Sequence, residues 1–288
     1  MTPLLIFQRP RRANSGDDMD VDIGIIYTHE RHFMTPLVSS LAQSGHALAM
    51  RLILVDNASK EGVGEWRSAF PDTQVLRNES RLGYAANLNR ILEASRARYV
   101  LLLNTDMCFE PGEQCVAKMV RFMDAHPDCG IGGCRLYHSD GSYAFPARRF
   151  QTPLTIAARR LGLAALLDGT INSYLYRERP RDSVFECDWL SGCFLMVRRR
   201  AIEDVGFLDV RFQKYFEDVD FCLRMARAGW RVMMNGQTYG YHLEQRASRH
   251  LFSRDALLHV QSFLRWLAKW GVNPKRGFVT RQSSRRAA

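Results

Sequence analysis

The chain has 288 residues, and none of its apolar runs comes near the roughly 20 residues that a membrane-spanning helix needs. Its first twenty residues carry Arg9, Arg11 and Arg12 and then Asp17, Asp18 and Asp20, with no hydrophobic signal core followed by a cleavage site. None of the seven cysteines (Cys108, Cys115, Cys129, Cys134, Cys187, Cys193, Cys222) forms a C-x-x-C pair, which argues against a zinc ribbon or a thioredoxin-type redox motif. Most sit among apolar neighbours, as in Cys193-Phe194-Leu195-Met196-Val197, the setting of buried thiols in a reducing compartment. The expectation is a cytoplasmic protein without a transmembrane segment. Nucleotide signatures are missing as well. There is no G-x-x-x-x-G-K loop and no G-x-G-x-x-G after the first strand-like run, which disfavours a Walker-type ATPase and an ordinary Rossmann dehydrogenase. A Ser-His-Asp hydrolase lacks its G-x-S-x-G elbow, since Leu190-Ser191-Gly192-Cys193 does not match it.

What is present is an ordinary globular composition, 46% hydrophobic and 24% charged, long enough for one large α/β domain or two small ones. Forty Lys+Arg against thirty Asp+Glu leave a net charge of +10, which raises nucleic acid, an anionic membrane or a phosphate-rich ligand as partners. The surplus is not spread evenly. Residues 22–245 hold 27 basic and 26 acidic residues, whereas residues 246–288 hold ten basic residues against the single acid Asp255. That placement fits an anionic membrane face or a phosphate-rich ligand better than nucleic acid.

After a polar leader over residues 1–21, strand-like apolar runs fall at 22–28, 51–56, 73–78 and 98–104. Helical stretches lie between and after them at 36–43, 61–69, 84–95 and 111–126, with Pro111 at a favourable first-turn position. Such alternation predicts an α/β fold with a parallel sheet covered on both faces, which binds ligands at the carboxyl ends of its strands. Those ends are polar: Thr28 and Glu30, Asp56, Asn78, then Asn104 and Asp106. One such residue alone is adequately explained as a turn or helix cap; four ends in register around one rim point to a polar ligand. Asp106 suits a hard divalent cation, Mg2+ or Mn2+. The second half predicts a helical piece at 155–167, a strand at 193–197, a helix opened by Phe216 and ended by Gly229, and a short strand at 230–234. Glu217, Asp218 and Asp220 crowd the start of that helix. They read equally well as dipole-stabilised caps or as a general base whose pKa is raised by its neighbours. His242 follows the last strand, where a lone histidine is more often core than ligand. A final helix over 251–270 carries Phe252, Ala256, Val260, Phe263, Leu267 and Trp270 on one face. It either docks on the domain or lies in a membrane interface.

The order of motifs resembles the GT-A-fold family 2 glycosyltransferases, in particular their rhamnosyltransferase-like branch. The segments carrying the resemblance are D-W-L-S-G-C-F-L-M-V-R-R from Asp188, G-F-L-D-x-R-F from Gly206, Y-F-E-D-V-D-F-C-L-R from Tyr215, and Val55-Asp56-Asn57-Ala58-Ser59. It implies a Rossmann-like, mostly parallel central sheet with helices on both faces and a C-terminal helical extension. A nucleotide-sugar half would span about 22–110 and an acceptor and catalytic-base half about 111–245. By the same resemblance Thr28 and Asp56 line the nucleotide pocket, Asp106 and His242 hold the metal, and Asp218 is the catalytic base with Glu217 beside it. Trp189, Ser191 and Gly192 shape the acceptor side, and Asn89 fits the donor-loop pattern. The implied chemistry is inverting transfer from a nucleoside-diphosphate sugar, dTDP-rhamnose first and a UDP-sugar next, to a glycan or lipid-diphosphate-linked hydroxyl in surface polysaccharide synthesis. The implied place is the cytoplasm, with contact on the inner face of the membrane. Two departures stand out. The metal motif is Asn104-Thr105-Asp106, with one carboxylate, and Arg81 and Asn87 replace the family's asparagine and glycine in Arg81-Leu82-Gly83-Tyr84-Ala85-Ala86-Asn87-Leu88-Asn89. The competing classes are a nucleotidyltransferase, which lacks its glycine-rich basic loop here, and a non-catalytic basic module binding membrane or nucleic acid, against which the retained acids count.

Overall fold

The computed structural model describes residues 19–44, 48–70, 72–160, 166–243 and 254–275. The leader up to residue 18, Phe252 and the basic tail after residue 275 lie outside the described residues, as does the 161–165 part of the helix expected over 155–167.

The first half alternates as expected: β1 (Val21–Tyr27), α1 (Arg31–Ser44), β2 (Met50–Asp56), α2 (Glu65–Ala69), β3 (Thr73–Arg77), α3 (Tyr84–Ala94) and β4 (Tyr99–Leu103). These four strands pair in parallel in the order β3-β2-β1-β4. The inner strands β1, β2 and β4 read as largely apolar runs because both faces are covered, whereas the edge strand β3 is half-buried and more polar. Ile23, Ile25, Leu52 and Leu54 pack under α1 with Met34, Leu37 and Leu41, while Ile53, Val55, Val100 and Leu102 pack under α3 with Leu88 and Ile91. Gly24 lets α3 approach the sheet, since a Cβ there would lie 2.2 Å from Ile91 Cγ2. At the opposite, amino end of β1 the fully buried Asp22 carboxylate accepts from Arg51 Nε (2.8 Å), Ser95 Oγ (2.7 Å) and the Arg96 and Ala97 amides. Burial alone would raise its pKa, but these donors hold it below the ordinary carboxylate range.

The second half adds β5 (Met107–Cys108), α4 (Cys115–Ala125), β6 (Cys129–Tyr137), β7 (Ala147–Arg148), α5 (Pro153–Arg160), α6 (Asp168–Tyr174), β8 (Val184–Glu186), β9 (Trp189–Leu190) and β10 (Phe194–Arg198). Then come α7 (Arg199–Val205), α8 (Glu217–Arg227), β11 (Arg231–His242) and α9 (Arg254–Trp270). Strand β10 enters antiparallel between β4 and β6, and β11 runs parallel to β6. Six strands of the nine-stranded sheet therefore share one direction, and β5, β8 and β10 oppose it. A separate ribbon pairs β7 with β9.

Two expectations needed correction. The strand expected at 230–234 continues to His242, because a register shift between Asn235 and Tyr239 absorbs the polar Asn235-Gly236-Gln237 stretch as a bulge. The last helix docks on the domain by most of the face expected, with Ala256, Phe263, Leu267 and Trp270 turned to the core, but Trp266 joins that face and Val260 leaves it. Trp266 is fully buried at its centre beside Phe263 and Ala256, whereas Val260 is 44% exposed together with Leu257 and Leu264. Polar anchors flank that apolar contact: Ser262 Oγ donates to Lys214 O (2.8 Å), Lys214 pairs with Asp255 (2.8 Å), and Lys269 pairs with Asp209 (2.7 Å) and Asp220 (2.6 Å).

Candidate active site

The carboxyl ends of β1, β2 and β4 form one rim. Asp56, 5% exposed, takes the Ser59 amide on Oδ1 (2.9 Å) and shapes the turn after β2. Beside it Asn78 Nδ2 donates to Asn57 Oδ1 (2.8 Å) and Asn87 Oδ1 (2.7 Å), and Arg90 donates to Asn78 Oδ1. Asn78 is thus built into an amide cluster that ties β3 to α3, with Asn87 a full member in place of the family's glycine. Glu30 turns back on its own loop, accepting from the Thr28 (3.1 Å) and His29 (3.0 Å) amides, so it holds Thr28 in place. Asn89 leaves the rim. Both ends of its amide bond the Leu208 peptide, at 2.9 Å to the carbonyl and 2.8 Å from the amide, anchoring α3 to the loop after α7.

Past β4 the chain reaches Asn104, whose Oδ1 accepts from the Tyr84 hydroxyl at 2.7 Å. The short β5 then pairs with the end of β11, His242 opposite Met107, and Leu243 N donates to Asp106 O (2.8 Å). This pairing carries His242 to within 3.2 Å of Asp106, Nε2 to Oδ1. The imidazole Nε2 is buried and makes no hydrogen bond, so it stands as a spare donor atom beside a carboxylate. Among the described residues no third His, Cys, Asp or Glu completes a group of metal ligands. One carboxylate and one imidazole fit a divalent ion that keeps several waters and takes its remaining ligands from substrate phosphates. Asn104, two residues before Asp106, is a positioned amide held by Tyr84.

The first turn of α8 supplies the other acids. It is entered through Tyr215 (φ +70°) and Phe216 (φ +69°), two consecutive side-chain-bearing residues in the left-handed region, each held at about 1–3 kcal/mol of strain. Asp218 Oδ2 accepts from the Gly192 amide at 2.9 Å and Oδ1 from the Val219 amide at 2.8 Å. Burial raises its pKa, opposed by those two donors and by the Arg148 charge. Glu217 is 6% exposed, its Oε2 has no partner, and burial followed by the Asp218 charge pushes its pKa well up. Asp220 separates from them. Fully buried, it bonds Arg224 (2.9 Å), Trp270 Nε1 (2.8 Å) and Lys269, so only two of the three acids belong to the site.

The raised Glu217 carries a stability prediction. A carboxyl with a higher pKa folded than unfolded binds its proton more tightly when folded, so stability is greatest at low pH and falls as pH rises through and above the ordinary carboxylate range. Glu217→Gln is expected to flatten that fall: its Tm exceeds wild type at pH 8 and matches it at pH 4. Calorimetry giving parallel Tm curves for the two proteins would contradict the assignment.

The residues expected on the acceptor side divide. Gly192 contacts Asp218 directly through its amide, and a Cβ there would meet Asp218 Oδ2 at 3.4 Å, an ordinary contact. Ser191 Oγ accepts from the Cys193 thiol (3.4 Å), and its amide bonds Pro146 O (2.9 Å). Trp189 is 3% exposed with its indole N–H donated to Arg149 O (2.7 Å), so it shapes the wall from behind. Two residues were missed by sequence reasoning. Arg148, opposite Trp189 in the β7–β9 ribbon, sets its guanidinium 5.0 Å above that ring and acts on Asp218. The Tyr84 hydroxyl is held well above its ordinary pKa by burial and then by Glu217, Cys193, Asp218 and Asp106. The Cys193 thiol, pushed up to about 11 mainly by burial, also feels Asp106 and Asp218. The Cys193 carbonyl also accepts the Asn104 amide at 3.2 Å, so the loop that touches Asp218 touches the end of β4 as well.

The mannosyltransferase PcManGT from Pyrobaculum calidifontis, solved with GDP-Man and Mn2+, superposes with a TM-score of 0.60 at 16% identity over 87% of this chain and 64% of that one. Staphylococcus aureus TarS (residues 1–349) superposes at 0.55 and 13% identity, over 92% of this chain and 77% of that one. The architecture is the GT-A fold of glycosyltransferases. The sequence model of glycosyl transferase family 2 matches residues 22–206, and the chain belongs to that family. An N-acetylglucosaminyl-diphospho-decaprenol L-rhamnosyltransferase of Mycobacterium tuberculosis is 26% identical over 264 residues, covering 82% of this chain and 85% of its own length. The rhamnosyltransferase WbbL of Escherichia coli is 30% identical over 102 residues, 34% of this chain and 39% of its own.

Proposed function

We propose that this family 2 glycosyltransferase is an inverting rhamnosyltransferase. It takes rhamnose from dTDP-rhamnose, with a UDP-sugar the next candidate, to a hydroxyl of a lipid-diphosphate-linked glycan in cell-surface polysaccharide synthesis. The observation carrying this reading is that one short segment touches both acids' loops: the Gly192 amide bonds Asp218 Oδ2 at 2.9 Å, and the Cys193 carbonyl takes the Asn104 amide, two residues before Asp106, at 3.2 Å. The two rhamnosyltransferase relatives support the sugar, and the N-acetylglucosaminyl-diphospho-decaprenol named for the mycobacterial one supports the acceptor.

In this mechanism Asp56 and the Thr28 loop hold the nucleotide at the ends of β1 and β2. Asp218 is kept in place by the Gly192 amide and removes the proton from the acceptor hydroxyl, whose oxygen attacks the anomeric carbon opposite the departing diphosphate. Burial raises the basicity of Asp218. Asp106 and His242 would hold Mg2+ or Mn2+, which neutralises charge developing on the leaving group. No helix among the described residues is long and apolar enough to cross a membrane. We place the protein in the cytoplasm, where the exposed Leu257, Val260 and Leu264 of α9 offer a peripheral membrane contact.

The test is a panel of nucleotide sugars with Mg2+ or Mn2+, scored by nucleoside diphosphate release. dTDP release from dTDP-rhamnose is expected to lead the panel and to be abolished by EDTA. Silence across the whole panel would sink the transferase reading, and unchanged release in EDTA would sink the metal assignment.

A further inference from the structure

The rings of Tyr241, Tyr239, Tyr137, Tyr143 and Phe145 form an unbroken strip. Successive centroids lie 5.8, 5.9, 5.8 and 4.7 Å apart, and all five residues are only partly buried. Tyr137 ends β6, and Tyr239 and Tyr241 lie close to the end of β11, so the strip continues the carboxyl rim of the sheet. One end is Tyr241, which alternates with His242 along β11 and so lies on the other face of that strand. The other is Phe145, followed by Pro146, whose carbonyl accepts from the Ser191 amide at 2.9 Å, next to the Gly192 amide that bonds Asp218 at 2.9 Å. The strip thus ends beside the loop that holds Asp218, on the β6 and β11 side, away from Thr28 and Asp56 on β1 and β2.

Guanidiniums lie over these rings. Arg135 sits 5.7 Å above Tyr239, and Arg181 sits 5.3 Å above Tyr143. Neighbouring Arg149 is paired with Glu178 (2.6 Å), but among the described residues neither Arg135 nor Arg181 has a carboxylate within ion-pair distance. Arg135 Nε is moreover a buried donor without a hydrogen-bond partner, an arrangement that an incoming acceptor atom would relieve.

Two chemistries therefore share one surface. Aromatic faces pack on the C–H face of a sugar ring, and guanidinium forks bond phosphate oxygens in pairs. A ligand that joins a pyranose to a diphosphate uses both. We propose that this strip is the acceptor subsite and that it binds a glycosyl diphosphate. The sugar lies on Phe145 and Tyr143 towards Asp218, and the diphosphate lies between Arg181 and Arg135. The assignment rests on the glycosyltransferase reading, because it takes Asp218 as the group that the acceptor hydroxyl must reach.

The test is direct binding, measured by calorimetry on wild type, Arg181→Gln and Tyr143→Leu. The probes are decyl N-acetylglucosaminyl diphosphate, the decyl glycoside without phosphate, and inorganic diphosphate. Arg181 is exposed, so its variant is expected to melt with wild type. Arg181→Gln is expected to raise the Kd of the diphosphate ester about tenfold and leave the glycoside within twofold; Tyr143→Leu is expected to weaken both. An Arg181→Gln protein that keeps wild-type affinity for the ester, or loses ester and glycoside equally, overturns the subsite. So does a loss confined to inorganic diphosphate. Nucleoside diphosphate release is scored in parallel without acceptor. Release by wild type combined with an Arg181-independent ester Kd defeats the subsite alone. An Arg181-dependent Kd with no release from any donor keeps the subsite and defeats the transferase reading.

Discussion

Asp218→Asn is expected to lower kcat by about 10³-fold, within the 10²–10⁴-fold that a positioned general base supplies. The substitution is nearly isosteric: the amide oxygen still accepts the Gly192 N–H that now bonds Oδ2 at 2.9 Å, and only the local bond from the adjacent Val219 N–H to Oδ1 is given up. The fold should therefore be intact. Since burial raises the pKa of Asp218, removing the charge is expected to hold Tm constant or increase it at neutral pH. Donor KM should stay near wild type, because Asp218 faces the acceptor side. The measurement is a steady-state kcat and KM split on protein whose melting curve matches wild type. A variant retaining more than a tenth of kcat would remove Asp218 from the role of base.

Trp266→Ala is expected to cost about 3–5 kcal/mol, the range for truncating a fully buried large aromatic side chain. For a chain of this size that is a Tm drop of roughly 10 °C. The effect should reach turnover as well. Trp266 and Phe263 pack on Phe216, at ring separations of 6.0 and 5.7 Å, and Phe216 is the left-handed residue that delivers Glu217 and Asp218 to the site. The strained turn lacks a glycine, so packing has to hold it. Trp266→Phe keeps most of the contact and drops an indole N–H that has no hydrogen-bond partner, so it is expected to restore both Tm and kcat. Thermal melts and initial rates on the two variants decide the point. An alanine variant within 1 kcal/mol of wild type and fully active would show that α9 does not brace the base.

The parallel half of the sheet was legible because burial on both faces leaves continuous apolar runs whose polar ends mark the rim. β11 was less so, since Asn235-Gly236-Gln237 reads as a loop until the ladder is seen to bridge it with a bulge. At the site, Asp56, Asp106, Asp218 and Gly192 could be picked out by motif and order. The division among Glu217, Asp218 and Asp220 could not, because their one-turn spacing does not reveal that Lys269, Arg224 and Trp270 claim the third. Asn89 misled for a similar reason: its partner, the Leu208 peptide, is remote in sequence. Arg148 carried no local signal at all. Its role follows from a two-residue ribbon, Arg148 opposite Trp189, that pattern reading has no means to register.

The docking of α9 also sets an order in time. A chain emerging from the ribosome displays Asp56, Asp106, Asp218 and His242 before residues 254–270 exist to close over Phe216 and bind Asp220. Every motif is then present while the base turn still lacks its support. Turnover should begin only when the helix has left the exit tunnel and folded back, so the lag between motif synthesis and first activity is built into the chain by where its brace is encoded.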